Sequence, residues 1–109
     1  MSEALIVFCT CGSQDEADRI ANTLVNERVA ACVNILPPLK SVYRWQGAVE
    51  QAEEVLLLIK TTPGQLARLR DRIPAIHSYD TPEIIAIPVA GGSERYLAWL
   101  GEQCGEQAH

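Results

Sequence analysis

The chain has 109 residues, of which 48% are hydrophobic and 21% charged, enough apolar material for one domain with one core. A formal net charge of −5 leaves no basic surface of the kind that nucleic acids or anionic membranes require. No apolar run approaches the ~20 residues of a membrane-spanning helix.

Met1-Ser2-Glu3-Ala4 carries no basic stretch ahead of the first apolar run, so no secretory signal is expected. A cytoplasmic chain with its four cysteines reduced is the expectation. There is no repeat, low-complexity segment or linker, which predicts a single domain over 1–109.

Ala4 to Cys11 is apolar almost without a break, which predicts a short strand buried on both faces in mid-sheet. Gly12 ends it. Ser13 then caps a helix, and Glu16 completes a capping box at the positive end of the helix dipole. Ala17, Ile20, Ala21, Leu24 and Val25 share one helical face, and the helix should end near Arg28.

Ala30 to Trp45 reads as a long strand broken by Pro37 and Pro38, so it belongs at an edge with a bend or bulge. Gln46-Gly47 is a turn. Ala48 to Thr61 returns as a second long strand, polar in its first half and central in its apolar second half. Thr62 supplies a capping hydroxyl and Pro63 the first position of a helix faced by Leu66, Leu69 and Ile73, which Pro74 ends or kinks. Glu83 to Val89 forms a last edge strand containing Pro88. Gly91-Gly92 turns the chain, and Ser93 caps a final helix carrying Tyr96, Leu97, Leu100 and Cys104 on one face. Tyr96 and Trp99 should pack that helix on the sheet or a neighbour, and the tail from Gly105 to His109 should fray.

This order predicts an α+β fold: a ferredoxin-like βαββαβ antiparallel sheet, strand order 4-1-3-2, with a C-terminal helix. Right-handed crossovers put the first two helices on one face. The central hairpin is too long for such a domain. Arms of about 14 to 16 residues span on the order of 45–50 Å, against a diameter of about 35 Å for a compact chain of this length. An overhang bearing Val42, Tyr43, Trp45 and Val49 calls for burial against further copies. The alternative is a hairpin bent back at Pro37-Pro38.

The loop Ile76-His77-Ser78-Tyr79-Asp80-Thr81-Pro82-Glu83 gathers ionisable groups at the lip of the sheet, a common address for a ligand. Cys9, Cys11 and His77 are the best metal candidates, since thiolate and imidazole suit copper and zinc. The competing reading, which free cysteines in central strands usually satisfy, makes Cys9, Cys11 and Cys32 small buried hydrophobes. His77, Tyr79, Glu83 and Lys60 are expected to meet in a cleft fit for acid–base work or a polar ligand, or else to form an ion-paired subunit contact. Tyr43 and Trp45 read as interface aromatics, with a ligand platform as the alternative. No phosphate-binding glycine loop and no nucleophile elbow is present, so no enzyme is expected; a residual catalytic reading would use His77 and Glu83.

Several segments in the right order resemble the CutA family of divalent-cation tolerance proteins. They are Ala30-Ala31-Cys32-Val33-Asn34-Ile35-Leu36-Pro37, Ser41-Val42-Tyr43-Arg44-Trp45-Gln46-Gly47, Glu54 to Thr61, His77-Ser78-Tyr79, Pro82-Glu83 and Tyr96-Leu97-Ala98-Trp99. The resemblance implies a subunit similar to PII signalling proteins, assembled as a homotrimer through the long strands. It also implies a link to copper and other divalent cations through tolerance. Cys9 and His77 match the positions of a proposed copper site. Two departures stand out: Ser78 replaces the family's usual proline, and Ile76 sits where some members carry a second histidine. The expectation is therefore a cytoplasmic homotrimer with weak or conditional copper binding. Its alternative is a PII-like module that binds a small metabolite or a protein partner.

Overall fold

β1 (Leu5–Cys11) is the strand on which the sheet is built, and a computed structural model describes it within residues 3–105. On one side it runs antiparallel to β4 (Ala48–Thr61), from Leu5 opposite Thr61 to Cys11 opposite Val55. On the other it pairs with the short edge strand β5 (Ile85–Pro88), from Leu5 opposite Pro88 to Phe8 opposite Ile85. Across β4 lies β2 (Cys32–Ile35), followed beyond the Pro37-Pro38 break by β3 (Leu39–Trp45), which pairs with the outer half of β4. The order β2-β4-β1-β5 is the expected ferredoxin-like one, with the second strand split in two by its prolines.

The two arms close at Gln46 (φ 50°) and Gly47 (φ 83°), both left-handed as a two-residue hairpin turn requires. β3 and the outer part of β4 project past the rest of the sheet. The molecule measures 49 × 26 × 23 Å, so the overhang is real and the bent-back alternative is not adopted.

α1 (Gln14–Asn26) and α2 (Leu66–Ile76) cover one face of the sheet. Ile20 and Leu24 of α1 and Leu69 and Ile73 of α2 are fully buried with Val7, Cys9, Leu57 and Ile59. Alternation along the strands sends Ile6, Phe8, Leu56 and Leu58 to the opposite face, where they are only half-buried. Beside them Ile85 and Ile87 are 54% and 44% exposed. β1 is therefore buried on one face within the chain, not on both as its apolar run predicts, because no helix of the described residues covers the middle of the second face.

Thr62 precedes a 3₁₀ turn (Pro63–Gln65) and makes no side-chain cap; the turn closes by the Gln65 amide donating to the Thr62 carbonyl. Pro74 lies inside the last turn of α2, which ends at Ile76. α3 (Glu94–Gln103) starts at Ser93, whose hydroxyl accepts from the Tyr96 amide as expected. Its end is held. Arg28, at φ 61°, donates through its guanidinium to the Gly105 and Glu102 carbonyls, and its own carbonyl accepts from the Gly105 amide. Gly105 is thus tied down instead of frayed, and the rest of that tail lies outside the described residues.

Candidate functional site

Cys9 and Cys11 alternate with Thr10 on β1, so both thiols point beneath the helices while Thr10 faces the other way. The loop after α2 brings His77 over them, and one donor atom from each of Cys9, Cys11 and His77 lies within 4.8 Å of the others. Both cysteines are fully buried, as is the imidazole. A hydrogen bond between the Cys9 thiol, as donor, and Cys11, then burial, then the fields of Cys11, Glu83 and Glu16 push the Cys9 thiol far above its ordinary range. At rest the Cys9 thiol is neutral.

The imidazole is held at both nitrogens. Nδ1 accepts from the Tyr79 amide at 3.0 Å, so the ring hydrogen is on Nε2, which donates to the Thr10 carbonyl at 2.8 Å. Tyr79 stacks on the ring at 4.7 Å between centroids. Glu16 fixes the loop from the other side. Its Oε2 accepts from the Ser78 amide at 2.8 Å, and its Oε1 accepts from the Gly12 amide at 3.3 Å. The Ser13 hydroxyl accepts from the Glu16 amide as a cap should. The reciprocal arm of the expected capping box therefore goes to Gly12 and across to the loop, not to Ser13. Burial opposes the Glu16 carboxylate, yet its hydrogen bonds from Ser78 and Gly12 hold its pKa below the ordinary value.

On the far side of Thr10 a cleft of about 670 Å³ opens between the β3–β4 ribbon and the 79–83 loop. Tyr43, Trp45, Tyr79 and Glu83 line it, joined by Glu50, Glu54 and Asp80. The Tyr79 hydroxyl donates to Glu54 Oε2 at 2.8 Å, and burial, followed by this bond, pushes its pKa up. Gly12 packs closely beneath it: a Cβ there would meet the Tyr79 hydroxyl at 3.2 Å, so the tyrosine would have to shift by a few tenths of an ångström.

Of the residues expected to share a cleft, the structure unites Tyr79 and Glu83 with Tyr43 and Trp45. It separates Lys60, which sits opposite Ile6 near the other end of β4, its ammonium 5.6 Å from the centroid of the Tyr96 ring. Glu54 and Lys60 lie six positions apart on one extended strand, about 20 Å, too far to converge. His77 lies behind the cleft wall, among the thiols. Sequence reasoning does not single out Thr10, Glu16 or Glu54 for the site. Glu16 is absorbed by its capping role, and Glu54 by the polar half of the hairpin.

A family model described as CutA1 divalent ion tolerance protein matches residues 5–103, from the start of β1 to the end of α3. The chain belongs to this CutA1 family. A "Divalent-cation tolerance protein CutA" from Thermus thermophilus is 50% identical over 100 residues, covering 92% of this chain and 97% of the relative. "Protein CutA, chloroplastic" from Arabidopsis thaliana is 44% identical over 97 residues, 89% of this chain; the chain spans 53% of that longer protein. The solved structure of the divalent cation tolerance protein from Thermus thermophilus matches with a TM-score of 0.92 at 49% identity. The match covers 94% of this chain and 99% of that one. The chain thus shares its overall fold with that structure.

Proposed function

We propose that this CutA1-family chain serves divalent-cation tolerance by holding a soft cation of the copper class, conditionally, at Cys9, Cys11 and His77. The observation that carries this reading is the convergence of two thiols and an imidazole within 4.8 Å. The donor set fits: thiolate and imidazole select copper and zinc over harder ions. The resting hydrogen bonds explain why binding is conditional. A cation must displace a thiol proton, and one imidazole nitrogen must give up Thr10 or Tyr79.

A copper(I) competition titration against a chromophoric chelator, under reductant, tests the site. Cys9→Ala and His77→Ala are each expected to weaken binding by about tenfold or more, as loss of a metal-supporting group does. Unchanged affinity in both variants overturns the assignment.

The same reading places the chain in a reducing, cytoplasmic setting and in a homotrimer. Three features support assembly: the overhanging ribbon, the edge strands β2 and β5, and the uncovered apolar face carrying Phe8, Leu58, Ile85 and Ile87. Light scattering at micromolar concentration is expected to give three times the chain mass, and a monomeric mass would sink this part.

A further inference from the structure

We propose that Tyr79 gates the thiol–imidazole site. Its backbone amide occupies the imidazole lone pair that a cation must take, and its hydroxyl, anchored on Glu54 of β4, resists the release of that lone pair. The inference rests on Cys9, Cys11 and His77 being the soft-metal site and names the residue that regulates it.

The two ring nitrogens of His77 are not equivalent. Nε2 donates to the Thr10 carbonyl at 2.8 Å. Strand alternation puts the carbonyls of Ala4, Ile6, Phe8 and Thr10 on the β5 side of β1, where Ala4 accepts from the Val89 amide. β5 reaches only as far as Phe8, opposite Ile85, so the imidazole supplies the donor that the sheet does not give Thr10. Thr10 is 9% exposed and fixed in a strand; withdrawing Nε2–H would orphan a buried carbonyl that has no freedom to turn elsewhere. A ring N–H held by a backbone carbonyl is also the usual support of a metal-binding histidine.

Nδ1 is therefore the nitrogen left for a cation. Glu16 Oε2 lies 3.9 Å from it, so this lone pair opens beside a negative charge. What stands in the way is the Tyr79 amide, which donates to Nδ1 at 3.0 Å. Tyr79 lies in a loop between α2 and β5, and its amide is free to turn to water if the residue moves. Three contacts oppose that movement. The ring stacks on the imidazole at 4.7 Å, the hydroxyl packs over Gly12, and the same hydroxyl donates to Glu54 Oε2 at 2.8 Å. Glu54 sits opposite Leu39 in the β3–β4 ladder, so the anchor belongs to the sheet and not to the loop. A hydrogen bond to a carboxylate is of the stronger kind. The contact between loop and sheet thus sets how often Nδ1 is free.

The test is a copper(I) competition titration under reductant, on the full chain in its native assembly. Tyr79→Phe keeps the amide and the ring and deletes only the hydroxyl. It is expected to tighten binding by about tenfold, because weakening the closed state raises the fraction of competent sites. Glu54→Gln keeps an uncharged acceptor, so it should tighten binding less and add nothing to Tyr79→Phe. The sign excludes a merely structural role, since a variant that only loosened the site would weaken it. Imidazole ¹⁵N resonances supply the second readout, in a His109→Gln background that leaves His77 as the single histidine. Metal-free protein should show Nε2 protonated and Nδ1 bare; loading should shift Nδ1, leave the proton on Nε2 and speed exchange of the Tyr79 amide. Unchanged or weaker binding in Tyr79→Phe, or in Glu54→Gln should that variant not fold, overturns the gate. So does loading that strips the Nε2 proton and leaves Nδ1 unmoved. Binding that survives both Cys9→Ala and His77→Ala removes the soft-metal reading and the gate with it. Binding lost in those two but not raised in Tyr79→Phe removes the gate alone.

Discussion

Replacing Glu16 by Gln tests whether one carboxylate positions the His77 loop. Glu16 accepts two backbone amides from different parts of the chain, Gly12 and Ser78, at a side chain only 9% exposed. Glutamine keeps one acceptor oxygen and turns an NH₂ group toward the other amide. One charge-assisted hydrogen bond is lost and a donor is orphaned. The expected cost at pH 7 is about 1.5–3 kcal/mol. The Arg19 contact at 3.5 Å adds little, since Arg19 is half exposed. The sign of the pH effect follows from the lowered pKa of Glu16. Its contribution is complete above the ordinary carboxylate value of 4.5 and is lost as pH falls through the lower folded value. The glutamine variant has no such titration. Urea unfolding at fixed protein concentration, at pH 7 and in steps below 4.5, should show a gap between the two proteins that closes with acid. A gap under about 0.5 kcal/mol at pH 7, or one that persists unchanged into acid, refutes the latch.

Ser78→Pro removes the amide that Glu16 accepts. His77 already has an extended backbone (φ −99°, ψ 145°) compatible with a following proline. A loss of about 1–3 kcal/mol is expected, and a double-mutant cycle with Glu16→Gln should be strongly non-additive; additive effects would separate the two groups. Gly12→Ala forces Tyr79 to move from its 3.2 Å approach, so urea unfolding should show about 1–3 kcal/mol of destabilisation; an unchanged midpoint would mean that Tyr79 is loosely held. Arg28→Ala unties the end of α3, and hydrogen exchange at residues 100–105 should accelerate while α1 is unaffected. Unaltered protection there would deny the clasp its role.

The fold is largely legible in the sequence because its determinants are local or periodic. The apolar run of β1, the cap at Ser13, the prolines at 37 and 38 and the length of β4 each act through backbone geometry. The chain can also be measured: arms too long for a compact domain predict the overhang. The site is legible only where residue chemistry is rare. Cys9, Cys11 and His77 stand out by type, and strand alternation puts the two thiols on one face. What fails is convergence between segments. Lys60 and Glu83 read as reaching one cleft from two strands apart because strand ends are hard to register from sequence, and β4 runs so far that its two ends serve different surroundings. Glu16 reads only as a capping residue, and Glu54 as one more carboxylate in the polar half of the hairpin. Only the folded chain brings Ser78 to one and Tyr79 to the other. The uncovered second face of β1 escapes notice because an apolar run looks the same whether a helix or another subunit buries it.

X-ray absorption at the copper edge, on the reduced protein loaded with one equivalent of copper(I), tests most directly whether β1 and the loop form a soft-metal site. Sulfur and imidazole nitrogen are expected among the atoms bound to copper, with the sulfur signal diminished in Cys9→Ala. A shell of oxygen and nitrogen alone, identical in wild type and variant, would contradict binding at Cys9, Cys11 and His77.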